Sequence, residues 1–524
     1  MDITSVEITG KTLTIEEVMA VAQNKAIVQP LGQETRKRME ASQQWLNEAI
    51  HEKNQVFYGI NTGFGSHAND IIDSDKASQL SRNVILADVT GVGDPLPQEI
   101  VRAMMVIRAN TLATGHSAIR PVVVEQLIAM LNENVVPYVP KKGSLGASGD
   151  LVPLAHIAIV ATCDSKGSGY SGKAWYGDEL LSGEEAMEKA GISRLHLIFK
   201  EGLSMINGTS FMAAAGCLAI DRCEKLVQHA DVAAAMSLEA FTAVSNAFHH
   251  DLHAASNQTG QIDTASKLRA LLKGSKLIDS DQRVQDAYSV RCIPQIIGPV
   301  KETIAFARQY IEKTLNASID NPLIFPAKND FHSVSGGSFH GEGLAFMMDF
   351  LSIVMSEVAN VSDRRSFGLL TPELSNGLPS MLIPSNGINT GLMVAQYVGA
   401  SLVSDNKTLA HPDSVDSIPT SANQEDHVSM GANGARHLLE IIDNVTHVIA
   451  IEFLCAAQAI DLRENGKEKL GTGARAAYGL IREQVQMYQN DHEMAPDIEK
   501  LVQLINNESI INKVNEELKI GVKQ

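Results

Sequence analysis

Three consecutive residues, Ala147-Ser148-Gly149, hold the atoms of a reactive ring. Glycine lets backbone groups approach closely and adopt angles closed to other residues, so the Gly149 nitrogen can reach the Ala147 carbonyl carbon. Closing that ring loses one water there and a second through the Ser148 hydroxyl. The product is a methylidene-imidazolone, a strong electrophile made from the chain itself. Alone, Ala-Ser-Gly is also ordinary turn chemistry. Its setting is a small-residue loop, Gly143-Ser144-Leu145-Gly146-Ala147-Ser148-Gly149-Asp150. A Pro-bounded apolar run, Val135-Val136-Pro137-Tyr138-Val139-Pro140, precedes it, and Leu151-Val152-Pro153-Leu154-Ala155-His156 follows.

Other segments carry residue types that suit an electrophile of this kind. Tyr58 opens the Gly-rich stretch Tyr58-Gly59-Ile60-Asn61-Thr62-Gly63-Phe64-Gly65. It reads either as a tyrosine packed on a turn or as a general base, since tyrosinate can remove a poorly acidic proton from a β-carbon. Arg291 closes Val284-Gln285-Asp286-Ala287-Tyr288-Ser289-Val290-Arg291. Its planar fork matches a carboxylate, though surface ion pairs use arginine too. Asn207 lies at the start of a long apolar-periodic stretch, where an N-cap is the plain alternative. Asn321 precedes Pro322, where a turn is the plain alternative. Glu425, in Asn423-Gln424-Glu425-Asp426-His427-Val428-Ser429-Met430, also suits a helix start. His249-His250-Asp251-Leu252-His253 matches no common zinc spacing, and no metal site is expected.

The stretch from Gly143 to His156 resembles, nearly letter for letter, the prosthetic-group loop of the histidine and aromatic amino-acid ammonia-lyases. The resemblance runs from Tyr58 to about Met430. It implies that Ala147, Ser148 and Gly149 form 4-methylidene-imidazol-5-one autocatalytically and that Tyr58 is the base. It implies further that Arg291 clamps the substrate carboxylate, with Tyr288 and Gln285 around substrate and prosthetic group. Asn207 hydrogen-bonds there, Asn321 lies near the carboxylate, and Phe339 packs on the ring. Ser338 departs from the amide usual beside that aromatic. Glu425 corresponds to the glutamate that faces the imidazole in the histidine branch.

One position fits no branch. Ala87-Asp88 stands where the ring is read, a place occupied by Ser-His, His-Leu or Phe-Leu in the histidine, tyrosine and phenylalanine branches. A buried carboxylate needs a donor. An imidazole N–H, a phenol or catechol hydroxyl and a protein neighbour are all candidates, so a modified histidine stays open as substrate.

Composition narrows the remaining classes. A formal charge of −18 offers no phosphate-neutralising face, which argues against nucleic acid as a partner. Five scattered cysteines without CxxC spacing read as reduced thiols in a cytoplasmic protein. The start, Met1-Asp2-Ile3-Thr4-Ser5, lacks a signal-peptide pattern. No apolar run reaches the roughly 20 residues of a membrane helix, so no membrane partner is expected.

Periodicity supplies the elements that must position these residues. Thr14 and Glu17 form a capping box ahead of one helix. Others are expected over 33–52, 97–113 and 119–133, with Pro97 in a first turn. The segment 164–195 reads as loop with a short hairpin. Long apolar stretches follow over 208–236, 296–316, 341–368, 389–410 and 428–462, and two polar helices near the end. The expectation is a mainly α fold of the ammonia-lyase (fumarase/aspartase-like) superfamily. It comprises a mixed N-terminal domain 1–202 with the reactive loop, a central long-helix bundle 203–470, and peripheral helices 471–524. The resemblance implies a homotetramer whose active sites combine loops from three subunits. The expected reaction is loss of ammonia from L-histidine to give urocanate. The alternatives are a phenylalanine or tyrosine ammonia-lyase, a lyase for a modified histidine, an aminomutase, or a non-catalytic helical scaffold.

Overall fold

The computed structural model describes residues 3–63, 67, 69–73, 76–164, 169–281, 283–328, 330–384 and 387–519. Met1 and Asp2, Phe64 and Gly65 of the Tyr58 stretch, and 165–168 of the Gly/Ser-rich segment lie outside the described residues. The chain forms two compact units, each gathered from separate stretches. The first is Met1–Asp221, Arg308–Asp349 and Pro412–Arg436; the second is Arg222–Ala307, Phe350–His411 and His437–Gln524.

The first unit holds every described strand, all in small sheets. Ser5–Val6 pairs with Ile27–Val28 in parallel, as Thr162–Cys163 does with Leu195–His196. Val92–Pro95 pairs with Pro140–Lys142 antiparallel, and Leu323–Pro326 with Phe331–Val334. Val135–Pro137, Lys173–Tyr176 and Glu179–Ser182 form a three-stranded sheet that contains the expected hairpin. Pro137, which cannot extend a ladder freely, ends one of the strands before the reactive loop, and Pro140 begins the next.

The Thr14 capping box forms as expected and starts the helix Ile15–Ala22. Pro97 sits one place earlier than expected, as the N-cap of Gln98–Leu112 with extended angles. That helix is buried from Ile100 to Leu112 on all sides, Arg102, Arg108 and Asn110 included, which makes it the unit's central rod. Its buried Arg102 donates to the Val21 and Leu131 carbonyls and to the Asn24 and Asn134 side chains, and its buried Arg108 donates through Nη2 to the Ser204 and Asn207 carbonyls. The loop expectation for 164–195 missed the helix Gly183–Lys189. A capping box of Ser182 and Glu185 starts it, and Ser-x-x-Glu was legible in the sequence.

The second unit is a helical bundle. The expected long stretches form Ser210–Ala240, Ile293–Leu315, Glu342–Leu370, Met393–Leu409 and Gly431–Asp461, of which residues 222–240, 293–307, 350–370, 393–409 and 437–461 belong to this unit. Three of these helices meet at Glu452. Its carboxylate accepts from Arg365 Nε at 2.6 Å and Nη2 at 2.8 Å, from Ser237 Oγ at 2.7 Å and from Ser362 Oγ at 2.6 Å. Both ions are almost wholly buried, and removing one partner from such a pair costs about 3–5 kcal/mol because the other charge is stranded.

Near the end, Thr472–Gln484, Ala495–Asn506 and Ser509–Leu518 are three helices where two were expected. They pack through Ile481, Leu501, Ile505, Ile510 and Val514. Among the described residues one helix, Glu342–Leu370, is long and apolar enough to cross a membrane, against the expectation of none. Mean hydropathy tolerates the two charges that a count of uninterrupted apolar residues does not, and 61% of its apolar window is buried within the protein.

Candidate active site

The reactive loop is fixed mainly by its own backbone. Gly149 and Gly208 form a parallel bridge, and Asp150 N donates to Gly208 O at 2.7 Å. Gly149 has φ +75, and a Cβ there would lie 2.3 Å from Gly208 O; only glycine permits this approach. On the other side Met430 N donates to Leu145 O at 2.9 Å and Gly341 N to Gly146 O at 3.0 Å. Ala147 packs with Val428 and Met430.

Asp150 anchors the loop's end. It is fully buried, and its carboxylate accepts from Ser144 Oγ at 2.9 Å and from Phe211 N and Met212 N at 2.9 and 3.0 Å. Those amides are the open first turn of the helix Ser210–Ala240, a natural seat for an anion. Burial still pushes the carboxyl up to about 6, although the Met212 amide, the Ser144 hydroxyl and the Phe211 amide all pull it down.

Two side chains reach Ser148. Asn207 Nδ2 donates to Ser148 O at 2.9 Å, and Ser148 Oγ donates to Glu425 Oε1 at 2.5 Å. Asn207 is not the N-cap of the long helix. It is the C-cap of the short helix Glu201–Ile206, its own N–H donating to Leu203 O at 2.8 Å, which frees the amide to face the loop. The buried Arg108 donates through Nη2 to Asn207 O at 2.8 Å and to Ser204 O, holding that cap. Asn207 Oδ1 is buried and has no hydrogen-bond partner. Glu425 Oε2 accepts from Thr420 Oγ1 at 2.8 Å.

Asp88 is the last residue of the helix Ala77–Asp88 and is half-buried. Burial first, and the Glu425 charge second, push its carboxyl up to about 6. Tyr58 lines a cavity of about 500 Å³ with Trp45, Phe57, Pro322, Phe331 and Ser335. Ser335 Oγ accepts from Asn321 Nδ2 at 3.1 Å, and Asn321 Oδ1 accepts from Gly336 N at 2.7 Å, so Asn321 is tied to a residue that lines the Tyr58 cavity. Phe339 is half-buried and Ser338 exposed, just before the Gly341 that ties to Gly146.

Gln285, Tyr288 and Arg291 belong to the second unit. Gln285 is exposed and Tyr288 is 70% exposed on the short helix Tyr288–Arg291. The Arg291 guanidinium lies over the Tyr288 ring at 4.7 Å, and its Nε is buried without a partner. In the His249 cluster, His253 is buried and donates through Nε2 to Ala247 O at 2.9 Å, which is a structural use. A grouping not foreseen from sequence is His340, Glu342 and His427, whose ligand-type atoms lie within 4.8 Å of one another.

The model of the family described as aromatic amino acid lyase matches residues 13–483. The chain belongs to the aromatic amino acid lyase family. It is 45% identical to a histidine ammonia-lyase of Treponema denticola, over 98% of this chain and 99% of that one. The structure of histidine ammonia-lyase from Trypanosoma cruzi matches with TM-score 0.88 and 35% identity, over 99% of this chain and 98% of that one. Tyrosine aminomutase from Streptomyces globisporus matches with TM-score 0.91 and 34% identity, over 98% of this chain and 99% of that one. The family's mainly α fold is the one expected from the sequence.

Set within this lyase family, Asp150, Arg108 and Thr420 are additions to the residues singled out from sequence. Asp150 had a signal, an acid directly before a helix. Arg108 and Thr420 had none, because each acts through a partner far away or through a turn closed by Glu425.

Proposed function

We propose that this chain eliminates ammonia from L-histidine to give urocanate, using an electrophile formed from Ala147, Ser148 and Gly149. The observation that carries the reading is the Ser148–Glu425 contact. It sets the residue that would supply the electrophile within one hydrogen bond of the residue proposed to read the ring. The local residues fit a methylidene-imidazolone: Gly149 occupies a backbone position no side chain tolerates, and Asn207 Nδ2 donates to the Ser148 carbonyl oxygen that the ring would keep. When formed, that group supplies an electron-poor carbon that takes the substrate amine.

The remaining roles fall to side chains. Asn207 holds the Ser148 carbonyl oxygen. Tyr58 takes the proton from the substrate β-carbon. Arg291, stacked on Tyr288, grips the carboxylate, Asn321 and Gln285 serve substrate binding, and Phe339 packs against the ring. Glu425 receives an imidazole N–H, and Asp88 borders the same end. The reading includes a cytoplasmic homotetramer with shared sites. Support comes from Phe306, Phe350 and Ile353, which leave an apolar groove 53, 41 and 48% exposed on the second unit; patches of this kind mark association surfaces.

A second reading, an aminomutase, draws support from the aminomutase structural match. A panel of histidine, tyrosine and phenylalanine separates the readings. Urocanate with free ammonia from histidine supports the proposal. A β-amino acid, or turnover confined to tyrosine or phenylalanine, overturns it.

A further inference from the structure

Behind the reactive loop, within the same compact unit, a buried positive charge stands without a carboxylate of its own. Arg108 lies on the buried helix Gln98–Leu112 and is 2% exposed. Its Nη2 donates to Asn207 O at 2.8 Å and to Ser204 O. Its Nε and Nη1 are buried and have no hydrogen-bond partner. The carboxylate whose charge reaches it is Asp320, and Lys200 already holds that group, Nζ to Oδ2 at 2.7 Å. Lys200 and Asp320 are both buried and cancel one another, which leaves the Arg108 charge over. Burial pushes the guanidinium down to about 10, so it stays ionised near neutral pH.

The charge is also close to the loop. Its Nη1 lies so near Gly208 that a Cβ there would collide with it. Gly208 is bridged to Gly149, and Asn207 next to it donates Nδ2 to Ser148 O at 2.9 Å. Holding the last carbonyls of the helix Glu201–Ile206 is the plain role of a cation in this place. That role uses Nη2 alone. It does not account for two further donor nitrogens left unmatched in the core, which is costly.

We infer that Arg108 is a positioning residue that raises the reactivity of the electrophile, by fixing Asn207 toward the Ser148 carbonyl oxygen and by placing an unbalanced positive charge behind it. The inference rests on the reading that Ala147, Ser148 and Gly149 form that electrophile. When a nucleophile bonds to the methylidene carbon, which is the former Ser148 Cβ, the double-bond electron pair shifts toward the Ser148 carbonyl oxygen. A proton from water or from the nucleophile then restores neutrality. Negative charge thus grows where Asn207 Nδ2 already donates. A fixed charge in water-excluded surroundings stabilises it far more than the same charge would in water.

The test uses borohydride as the nucleophile, since hydride needs neither the carboxylate clamp nor the ring contacts. Intact mass of the purified full chain first shows whether two waters have been lost, and circular dichroism shows folding. The rate at which the near-ultraviolet absorbance then disappears, at fixed borohydride, reads the reactivity of the group. Arg108→Gln keeps an N–H donor for the carbonyls but not the charge. It is expected to slow that rate about 10-fold, less than the loss of a donor in direct contact. The kcat for histidine should fall alongside it while KM changes little. Arg108→Lys keeps the charge and loses the fork, so most of the rate should return even where Tm falls. Lys200→Gln, made in parallel in case Arg108→Gln does not fold, leaves Asp320 to offset Arg108 and should slow the reaction as well. A wild-type borohydride rate in a folded, fully dehydrated glutamine variant, or equal slowing by Arg108→Gln and Arg108→Lys, overturns the inference and leaves the prosthetic-group reading intact. A folded wild type that keeps both waters overturns that reading instead, and this inference with it.

Discussion

The reactive loop and the ring end of the pocket are built from different materials. Around Ser148 the loop is fixed mainly by main-chain contacts, Gly149 against Gly208, Leu145 against Met430 and Gly146 against Gly341, with the Asp150 carboxylate anchoring its end. Such contacts demand close backbone approach, so the sequence there is confined to small residues. At the other end two side chains do the work. Asp88 ends a helix beside Leu86, which is 40% exposed, and Glu425 hangs on one threonine hydroxyl and a short turn. Side chains at half-exposed positions can change at little cost to the fold. The kind of reaction is therefore tied to backbone geometry, and the choice of substrate to a few replaceable groups.

Substitutions in the two regions sharpen this contrast. Ser148→Ala leaves the backbone alone but removes the hydroxyl. Turnover is expected to fall to background while the circular dichroism spectrum and Tm stay near wild type; near-normal turnover in a folded variant would break the assignment. Arg291→Lys replaces a planar fork with a point charge. Steady-state kinetics should show a higher KM and a lower kcat, and unchanged kcat/KM would place Arg291 outside the site.

At the ring end, Asp88→Ala should cost histidine about 1.5–3 kcal/mol of transition-state binding, the range for a hydrogen bond to a charged group. That is roughly a 10- to 150-fold loss in kcat/KM. Phenylalanine, without a ring donor, should lose little. Equal losses across substrates would mean that Asp88 supports structure rather than reading the ring.

The smallest effect concerns stability. Burial, then the Glu425 charge, raises the Asp88 carboxyl from the ordinary 3.8 to about 6. The native chain therefore holds a proton there that the unfolded chain has released. The stability contribution is full below about pH 4 and is lost as pH rises through about 6. Asp88→Asn never ionises, so its Tm should match wild type near pH 4 and exceed it near pH 7. A Tm difference independent of pH would contradict this.

What the sequence revealed follows the same division. The long helices were visible because an apolar period survives over several turns, and the reactive loop because its chemistry is contiguous. Asn207 was recognised, but as an N-cap; the stop of Glu201–Ile206 three residues before the next helix has no periodic signature. Gly183–Lys189 escaped because two turns of helix are too short for periodicity, and only its capping box marked it. Arg108 and Thr420 were invisible, since one acts across 99 residues and the other through a turn known only once folded.

The central claim is that activity resides in an electrophile made from Ala147, Ser148 and Gly149. Its most direct measurement is the near-ultraviolet absorbance of the purified protein, followed with ammonia release from L-histidine during borohydride treatment. The account expects an absorbance that wild type has and Ser148→Ala lacks, with absorbance and ammonia release lost together. Ammonia release that survives borohydride, or wild type with activity but no such absorbance, would contradict it.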